Sequence, residues 1–313
     1  MRSRHLIVQL SVLFAALAIG NAAVRRLAAQ SNPRRILKAA ETTAMPTDLF
    51  LGNSTMEAGI DTAAYAEGRL RCVPLNLALG TTSPAEHDQI LAKVPNLSKT
   101  TVVNGVFDTQ ATDVVDGNWD TLVGNRALSY YFDRDLAVKY YAPDAPIRAA
   151  ALRATGHIPM LVERWTIWSK VEQARRRIGE VGLPAKEVNR FGRTEDFTLL
   201  ESDVAEFSNR IRDAETRGVP LWSPVETLIR RGTTSGGKVV VVYMPMPSSH
   251  RDRFYKNGEW HAYRRHIAMR IEAEGASVVD ASDWVADANF SDGLHLNSDG
   301  ARAFSLRLSQ AIP

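Results

Sequence analysis

The sequence predicts an α/β protein: a three-layer α/β/α domain on a parallel sheet of about five strands, with a helical insertion and an N-terminal membrane helix. Three observations predict it. Short apolar, β-branched runs alternate with helix-patterned segments, the rhythm of strands joined by crossover helices. Residues 114–237 break that rhythm with arginine-, glutamate- and aromatic-rich stretches of helical character. Residues 6–24 are almost wholly apolar.

The N-terminus comes first. Arg2, Arg4 and His5 precede the apolar run, which is interrupted by Gln9, Ser11, Gly20 and Asn21 and closed by Arg25 and Arg26. A run of about 19 residues approaches the length that spans a bilayer as a helix and exceeds a usual signal-peptide core. Ala16-Leu17-Ala18 offers a small-residue cleavage site, so anchor and cleaved leader both stay open. Nothing in the segment forms a polar face, which argues against a core helix. Arg34, Arg35 and Lys38 follow it, so positive charge lies on both sides and does not orient the segment. Residues 1–29 are therefore read as anchor or signal, 30–46 as a polar, basic linker, and 47–313 as the folded domain.

Within that domain, residues 48–52 form an apolar run ending in glycine, as a buried strand leaving into a turn does. Residues 73–80 repeat the pattern, and Ser83-Pro84 with Glu86 opens a helix to about residue 94. Residues 100–106, 238–244 and 276–280 complete the strands. Helices are expected at about 260–274 and 298–311, and within the insertion at 146–153, 165–180 and 203–217. The insertion, about 114–237, reads as a lid on one domain rather than a second domain. No internal repeat or low-complexity tract is visible.

Composition narrows the function classes. A net charge of +3 is only mildly basic, and Arg175-Arg176-Arg177 and Arg230-Arg231 read as solvated faces. With no zinc-finger spacing, basic zipper or RNA-binding signature, no nucleic-acid partner is expected. Cys72 stands alone, which excludes an intramolecular disulfide and a cysteine-based metal cluster; it reads as a buried, inert thiol. His261 and His266, five apart on a helix, point about 140° away from each other and make a poor metal pair. The Gly232–Lys238 stretch nearly matches a phosphate-binding loop, but it precedes a strand instead of following one and lacks the final hydroxyl residue. It reads as a loop feeding the fourth strand.

Two segments carry chemistry. Gly52-Asn53-Ser54-Thr55-Met56-Glu57 places Ser54 beyond the carboxyl end of the first strand, where parallel sheets hold their ligands. Alone, Ser54 reads first as a helix cap. Asp292-Gly293-Leu294-His295 changes the balance, because a nucleophilic serine needs a base, and the base needs an acid to fix its tautomer. One short loop supplies both. A nucleophile elbow of the Gly-x-Ser-x-Gly kind is absent, since Met56 stands at the second glycine position. His250, after the fourth strand, reads as bordering the pocket.

These blocks resemble the SGNH (GDSL-type) hydrolase superfamily, whose flavodoxin-like fold the predicted elements match. Ser54 corresponds to its nucleophile, Gly80 in Asn76-Leu-Ala-Leu-Gly80 to its second-block glycine, and Asp292 and His295 to its final pair. Gly59 resembles the glycine after the nucleophile block, displaced by one position. The match covers residues 48–110 and 238–313. The resemblance implies a serine esterase or acyltransferase with catalytic Ser54, Asp292 and His295 and oxyanion donors from the N–H groups of Ser54 and Gly80. Asn53 replaces the family's aspartate beside the nucleophile, and the third-block asparagine position falls on Phe107, so either Asn104 or Asn118 supplies the third donor or the site has only the two backbone donors. No metal or organic cofactor is implied.

The combination of membrane segment, SGNH core and insertion is similar to proteins of alginate O-acetylation and teichoic acid D-alanylation. That likeness implies an extracytoplasmic domain, periplasmic or at the cell surface, secreted if the leader is cleaved. Its partners would be an acyl-ester or carbohydrate substrate, the membrane, and a membrane-bound acyltransferase for the transfer reaction. Two alternatives remain: an SGNH-fold scaffold without chemistry, and a polysaccharide-binding protein stacking sugars on Trp165, Trp168 and Trp222.

Overall fold

The computed structural model describes residues 2–29, 31–43, 46–113, 133–142, 144–155, 157–163, 167–168, 170–171, 174–175 and 204–313. Its first elements are α1 (Arg2–Ala28), α2 (Asn32–Thr42), β1 (Asp48–Leu51), α3 (Ser54–Gly59), α4 (Thr62–Gly68), β2 (Pro74–Asn76), α5 (Pro84–Leu91) and β3 (Thr101–Val106). Then come α6 (Arg134–Tyr141), α7 (Pro146–Thr155), α8 (Pro159–Val162), α9 (Val204–Thr216) and α10 (Ser223–Thr234). The last are β4 (Lys238–Tyr243), α11 (Ser248–Phe254), α12 (Gly258–Ala273), β5 (Ser277–Asp280), a 3₁₀ turn (Asp287–Asn289) and α13 (Ser298–Ala311). The chain groups into two compact units, Met1–Lys38 with Asp116–Ala185, and Ala39–Val115 with Lys186–Pro313.

In the first unit, α1 contains a 22-residue segment, Ile7–Ala28, of mean hydropathy 2.0 and only 6% buried, long and apolar enough to cross a membrane. Residues 30–46, read from the sequence as a linker, hold α2. Leu, Lys, Ala and Glu favour a helix there, and Pro33 sits in the first turn, where its missing N–H costs no hydrogen bond. The expected helix at 146–153 is α7, whereas most of the one at 165–180 lies outside the described residues. The N–H of Met160 on α8 donates to Asn21 Oδ1 on α1 at 3.1 Å, and Arg34 pairs with Glu163 at 3.0 Å.

The second unit holds the sheet, all parallel, in the order β2-β1-β3-β4-β5. Every side chain of β1 and β3 is buried, as are all of β4 except its first. Strands covered on both faces need continuous apolar runs, which is why these read so clearly in the sequence. Edge strand β2 keeps only three residues; Leu77 and Leu79 still donate to the carbonyls of Phe50 and Gly52 at 2.9 Å. The order reverses direction between β1 and β3, and such a switch opens a crevice at the carboxyl ends of the strands.

Packing fixes the strands and the helices around them. Phe50, Val103, Val240 and Val242 from the strands meet Met56 on α3, Tyr65 on α4 and Phe304 and Leu308 on α13 in one buried cluster. Burying each such side chain is worth about 1.5–3 kcal/mol relative to exposure. The capping box of α5 forms as expected, with Ser83 and Glu86 satisfying each other's backbone ends. The Gly232–Lys238 stretch is split between the end of α10 and a turn, in which Gly236 adopts φ +79° before β4 begins.

Gly300, in the first turn of α13, is pressed against the loop before it. A Cβ there would lie 2.2 Å from the carbonyl oxygen of Asn289. Gly300→Ala is therefore expected to destabilise the fold by about 1–3 kcal/mol, the usual cost of overfilling a packed site. Urea unfolding checks this, and an unchanged midpoint would contradict the contact.

Candidate active site

Ser54 owes its position to the turn after β1. A Cβ on Gly52 would stand 2.4 Å from the Cβ of Met56, so only glycine lets the chain fold back into α3. The cap of α3 is Asn53, not Ser54: its Oδ1 accepts from the Thr55 N–H at 3.0 Å and the Thr55 hydroxyl at 2.8 Å. Ser54 occupies the first helical position, and its hydroxyl has no capping duty.

That hydroxyl meets a loop from the far end of the chain. Phe290 and Leu296 form an isolated antiparallel bridge, and the Ser291 N–H donates to the His295 carbonyl at 2.8 Å. Within this tight loop Asp292 Oδ1 accepts the N–H groups of Leu294 at 2.8 Å and His295 at 2.7 Å. The His295 ring places Nδ1 2.9 Å from Asp292 Oδ2 and Nε2 2.8 Å from Ser54 Oγ. A carboxylate only accepts, so it assigns the proton to Nδ1 and leaves Nε2 to accept from the serine.

Burial pushes the Asp292 carboxyl up, but hydrogen bonds from the His295 ring and from the backbone N–H groups of His295 and Leu294 outweigh it. The group is held below the usual aspartate value. Asp292 is thus ionised at neutral pH, as an acid that orients a histidine must be.

The three expected oxyanion donors fare differently. The Ser54 N–H has no acceptor among the described residues. Gly80 does lie beside the serine, since a Cβ on it would be 3.5 Å from the Ser54 Cβ. Its N–H, however, donates to Glu57 Oε2 at 2.8 Å. Asn104 is fully buried in β3, where its side chain pairs with His87 Nδ1 at 3.0 Å. Asn118 lies outside the described residues.

Sequence reasoning missed Glu57 and His87. Glu57 stands three residues after Ser54, so α3 brings both to one face; that spacing was the available signal. His87 carried none, because its partners come from separate segments.

The remaining candidates separate from this site. His250 is 3% exposed and bound to Asp108 Oδ1 at 2.8 Å, which also accepts from the Tyr255 hydroxyl at 2.5 Å. It is a packed side chain instead of a border of an open pocket. Trp222 is buried and donates its backbone N–H to Ala111, which removes it from sugar stacking; Trp168 is exposed and Trp165 lies outside the described residues. Cys72 is half-buried, and its thiol donates to Asp48 Oδ2 at 2.7 Å. Burial and that carboxylate push the thiol up to about 11, consistent with an inert group. Among the described residues no cluster of histidine, cysteine, aspartate and glutamate could hold a metal ion. A cavity of about 590 Å³ opens along β5, lined by Arg264 and Asp280 among others and by none of Ser54, Asp292 and His295.

His87 links the pieces under the serine. Its Nε2 lies 3.1 Å from Thr82 Oγ1, which is 2.5 Å from the Leu79 carbonyl and 3.2 Å from that of Gly52. The Asn104 amide nitrogen has no partner as placed. Exchanging its amide oxygen and nitrogen lets Asn104 donate to Nδ1, Nε2–H donate to Thr82, and Thr82 donate to Leu79. The chain then ties β3 to the segments carrying Ser54 and Gly80.

Burial pushes His87 down to about 3, so the folded ring stays neutral. An unfolded histidine takes a proton near pH 6.5, so unfolding binds a proton between those values. Stability therefore falls as pH is lowered from about 6.5, by about 1.4 kcal/mol per pH unit once the unfolded ring is charged. Urea midpoints at pH 7, 6 and 5 are expected to show this slope, and His87→Gln to flatten it; equal slopes in both proteins would contradict the assignment.

Comparison of the chain with protein-family models finds no match, and neither does comparison with curated proteins.

Proposed function

We propose that the chain is a serine-dependent esterase or O-acyltransferase of the SGNH type, anchored to a membrane by α1 with its sheet domain outside the cytoplasm. One observation carries the reading: Asp292, His295 and Ser54 form a continuous line of hydrogen bonds at 2.9 and 2.8 Å. Support also comes from the place of Ser54, after β1 at the switch point of a β2-β1-β3-β4-β5 sheet. Helix packing supports the three-layer arrangement that such a fold requires: α13 meets α3 and α4, while α5 meets α10.

In the proposed reaction Ser54 Oγ attacks an ester carbonyl while His295 Nε2 takes its proton, and Asp292 steadies the imidazolium. The tetrahedral oxyanion accepts from the Ser54 and Gly80 N–H groups. On collapse His295 returns the proton to the departing alkoxide, and the acyl group stays on Ser54. A second hydroxyl, deprotonated by His295, then takes the acyl group. Water makes the chain an esterase; a sugar hydroxyl makes it an acyltransferase on a cell-envelope polysaccharide, with a membrane-bound acyltransferase as the supplier.

Glu57 must leave Gly80 for this to work, because its carboxylate holds the N–H that the oxyanion needs. The same contact favours a rival reading, a scaffold that kept the fold and lost the chemistry. Hydrolysis of 4-nitrophenyl acetate by the full chain in detergent separates them. Activity is expected in the wild type, abolished in Ser54→Ala and reduced about 10³–10⁴-fold in Asp292→Asn, where the wrong tautomer is stabilised. Turnover unaffected by Ser54→Ala would overturn the assignment, and a folded, inactive wild type would favour the scaffold. Glu57→Ala removes a competing acceptor and a negative charge, so its kcat/KM is expected to rise; a fall would mean that Glu57 orients Gly80 rather than occupying it.

A further inference from the structure

We infer that α8 is a second membrane-contacting element of the first unit, a short apolar helix that enters the lipid layer beside α1. The inference rests on the reading of α1 as a membrane span and on nothing in the proposed esterase chemistry.

Between His157 and Glu163 every residue is apolar, Ile158-Pro-Met-Leu-Val162. Pro159 and Val162 are buried, whereas Ile158 is 44% and Met160 41% exposed. Single exposed apolar side chains are ordinary on a surface in water. The backbone of α8 sets this pair apart. The first N–H groups of a helix find no acceptor within it and commonly turn to water. Here each has a partner in the protein. His157 and Ile158 donate to the carbonyls of Ala154 and Thr155 at 3.0 Å, Pro159 has no N–H, and Met160 donates to Asn21 Oδ1 at 3.1 Å. Leu161 and Val162 donate to Ile158, and Glu163 to Pro159. Hydrocarbon offers no acceptors, so an element that enters it must pair its backbone donors in this way.

The partner on α1 sets the depth. Asn21 is a polar residue inside the 22-residue apolar segment Ile7–Ala28, and its amide oxygen serves α8. Beside it, a Cβ on Gly20 would lie 3.2 Å from Met160 Sδ, so the small residue lets α8 approach closely, as small residues do between helices in lipid. Arg25 and Arg26 in the last turn of α1 belong at headgroup level when the helix spans a bilayer. Gly20 and Asn21 precede Arg25 by a rise of about 6–8 Å. Interfacial elements bury their apolar faces about 5–10 Å deep, so α8 lies at that level. Glu163, which follows α8, is buried and paired with Arg34 at 3.0 Å, so its charge is turned away from lipid. His157, exposed before α8, has an apolar ring with a polar tip that suits the same boundary.

The test uses the full chain in phosphatidylcholine vesicles, with Cys72→Ser removing the native thiol while keeping a donor for Asp48. Ile158→Cys, Met160→Cys and, on α1, Phe14→Cys each carry an environment-sensitive fluorophore in turn. Nitroxide-labelled lipids report contact with acyl chains, and iodide reports contact with water. Both α8 probes are expected to emit to the blue, to resist iodide, and to lose more emission to a nitroxide near the headgroup than to one near the chain end. Phe14→Cys should show the reverse preference, because it lies about 16 Å below Arg25. Lipid quenching at Phe14→Cys with both α8 probes open to iodide would overturn the inference and leave the span standing. Absence of lipid quenching at all three positions would overturn the span as well. Blue emission at α8 that neither iodide nor lipid nitroxide quenches would overturn it too, and assign the face to a protein partner. Adding Ser54→Ala should leave the quenching unchanged, so failure here and failure of the esterase chemistry are distinguishable.

Discussion

The hydrogen bond between Ser54 Oγ and His295 Nε2, 2.8 Å long, joins residues 241 positions apart, and much of the sheet unit serves to bring them together. One end depends on Gly52 and Asn53, which turn the chain out of β1 and cap α3 without using the serine hydroxyl. The other depends on a short loop whose backbone clamps Asp292 and whose base rests on Gly300 of α13. Because α13 packs on α3 and α4 through Phe304 and Leu308, the two ends share one buried cluster. Interior packing of this density resists small displacements, which is what a hydrogen bond between such distant segments requires.

Electrostatics around the serine run in two directions. The Asp292–His295 side favours a positive imidazolium, since the carboxylate is held ionised by donors from the loop itself. The Gly80 side carries a buried carboxylate, Glu57, beside the N–H that the proposed reaction assigns to the oxyanion. A carboxylate oxygen and an oxyanion compete for the same N–H, so Glu57 makes the donor conditional on its own movement. Beneath both, His87 is neutral because burial disfavours its charged form, which suits a structural link and not a proton carrier.

The legible and illegible parts of the sequence divide along a physical line. Residues 48–52, 100–106 and 238–244 could be read as strands because burial on both faces demands an unbroken apolar run. Ser54, Asp292 and His295 could be singled out because a turn after a strand and a three-residue acid–histidine spacing are local patterns. The Gly80–Glu57 contact spans 23 positions and left no local mark. The link from Asn104 through His87 to Thr82 depends on which atoms the fold brings together, and Asn104 looked like a free donor only because its partner was invisible. The helical state of α2 is masked in the sequence by the charge and prolines of residues 30–46, which read as a tether, although the residues of α2 are good helix formers.

The central claim is that the hydrogen bond to His295 makes Ser54 an activated nucleophile. Treating the full chain with a fluorophosphonate and mapping the adduct by peptide mass spectrometry tests it directly. The account predicts one phosphonyl adduct, on the peptide containing Ser54, absent when His295 is replaced by alanine. An adduct on another serine, or none on folded wild-type protein, would contradict it.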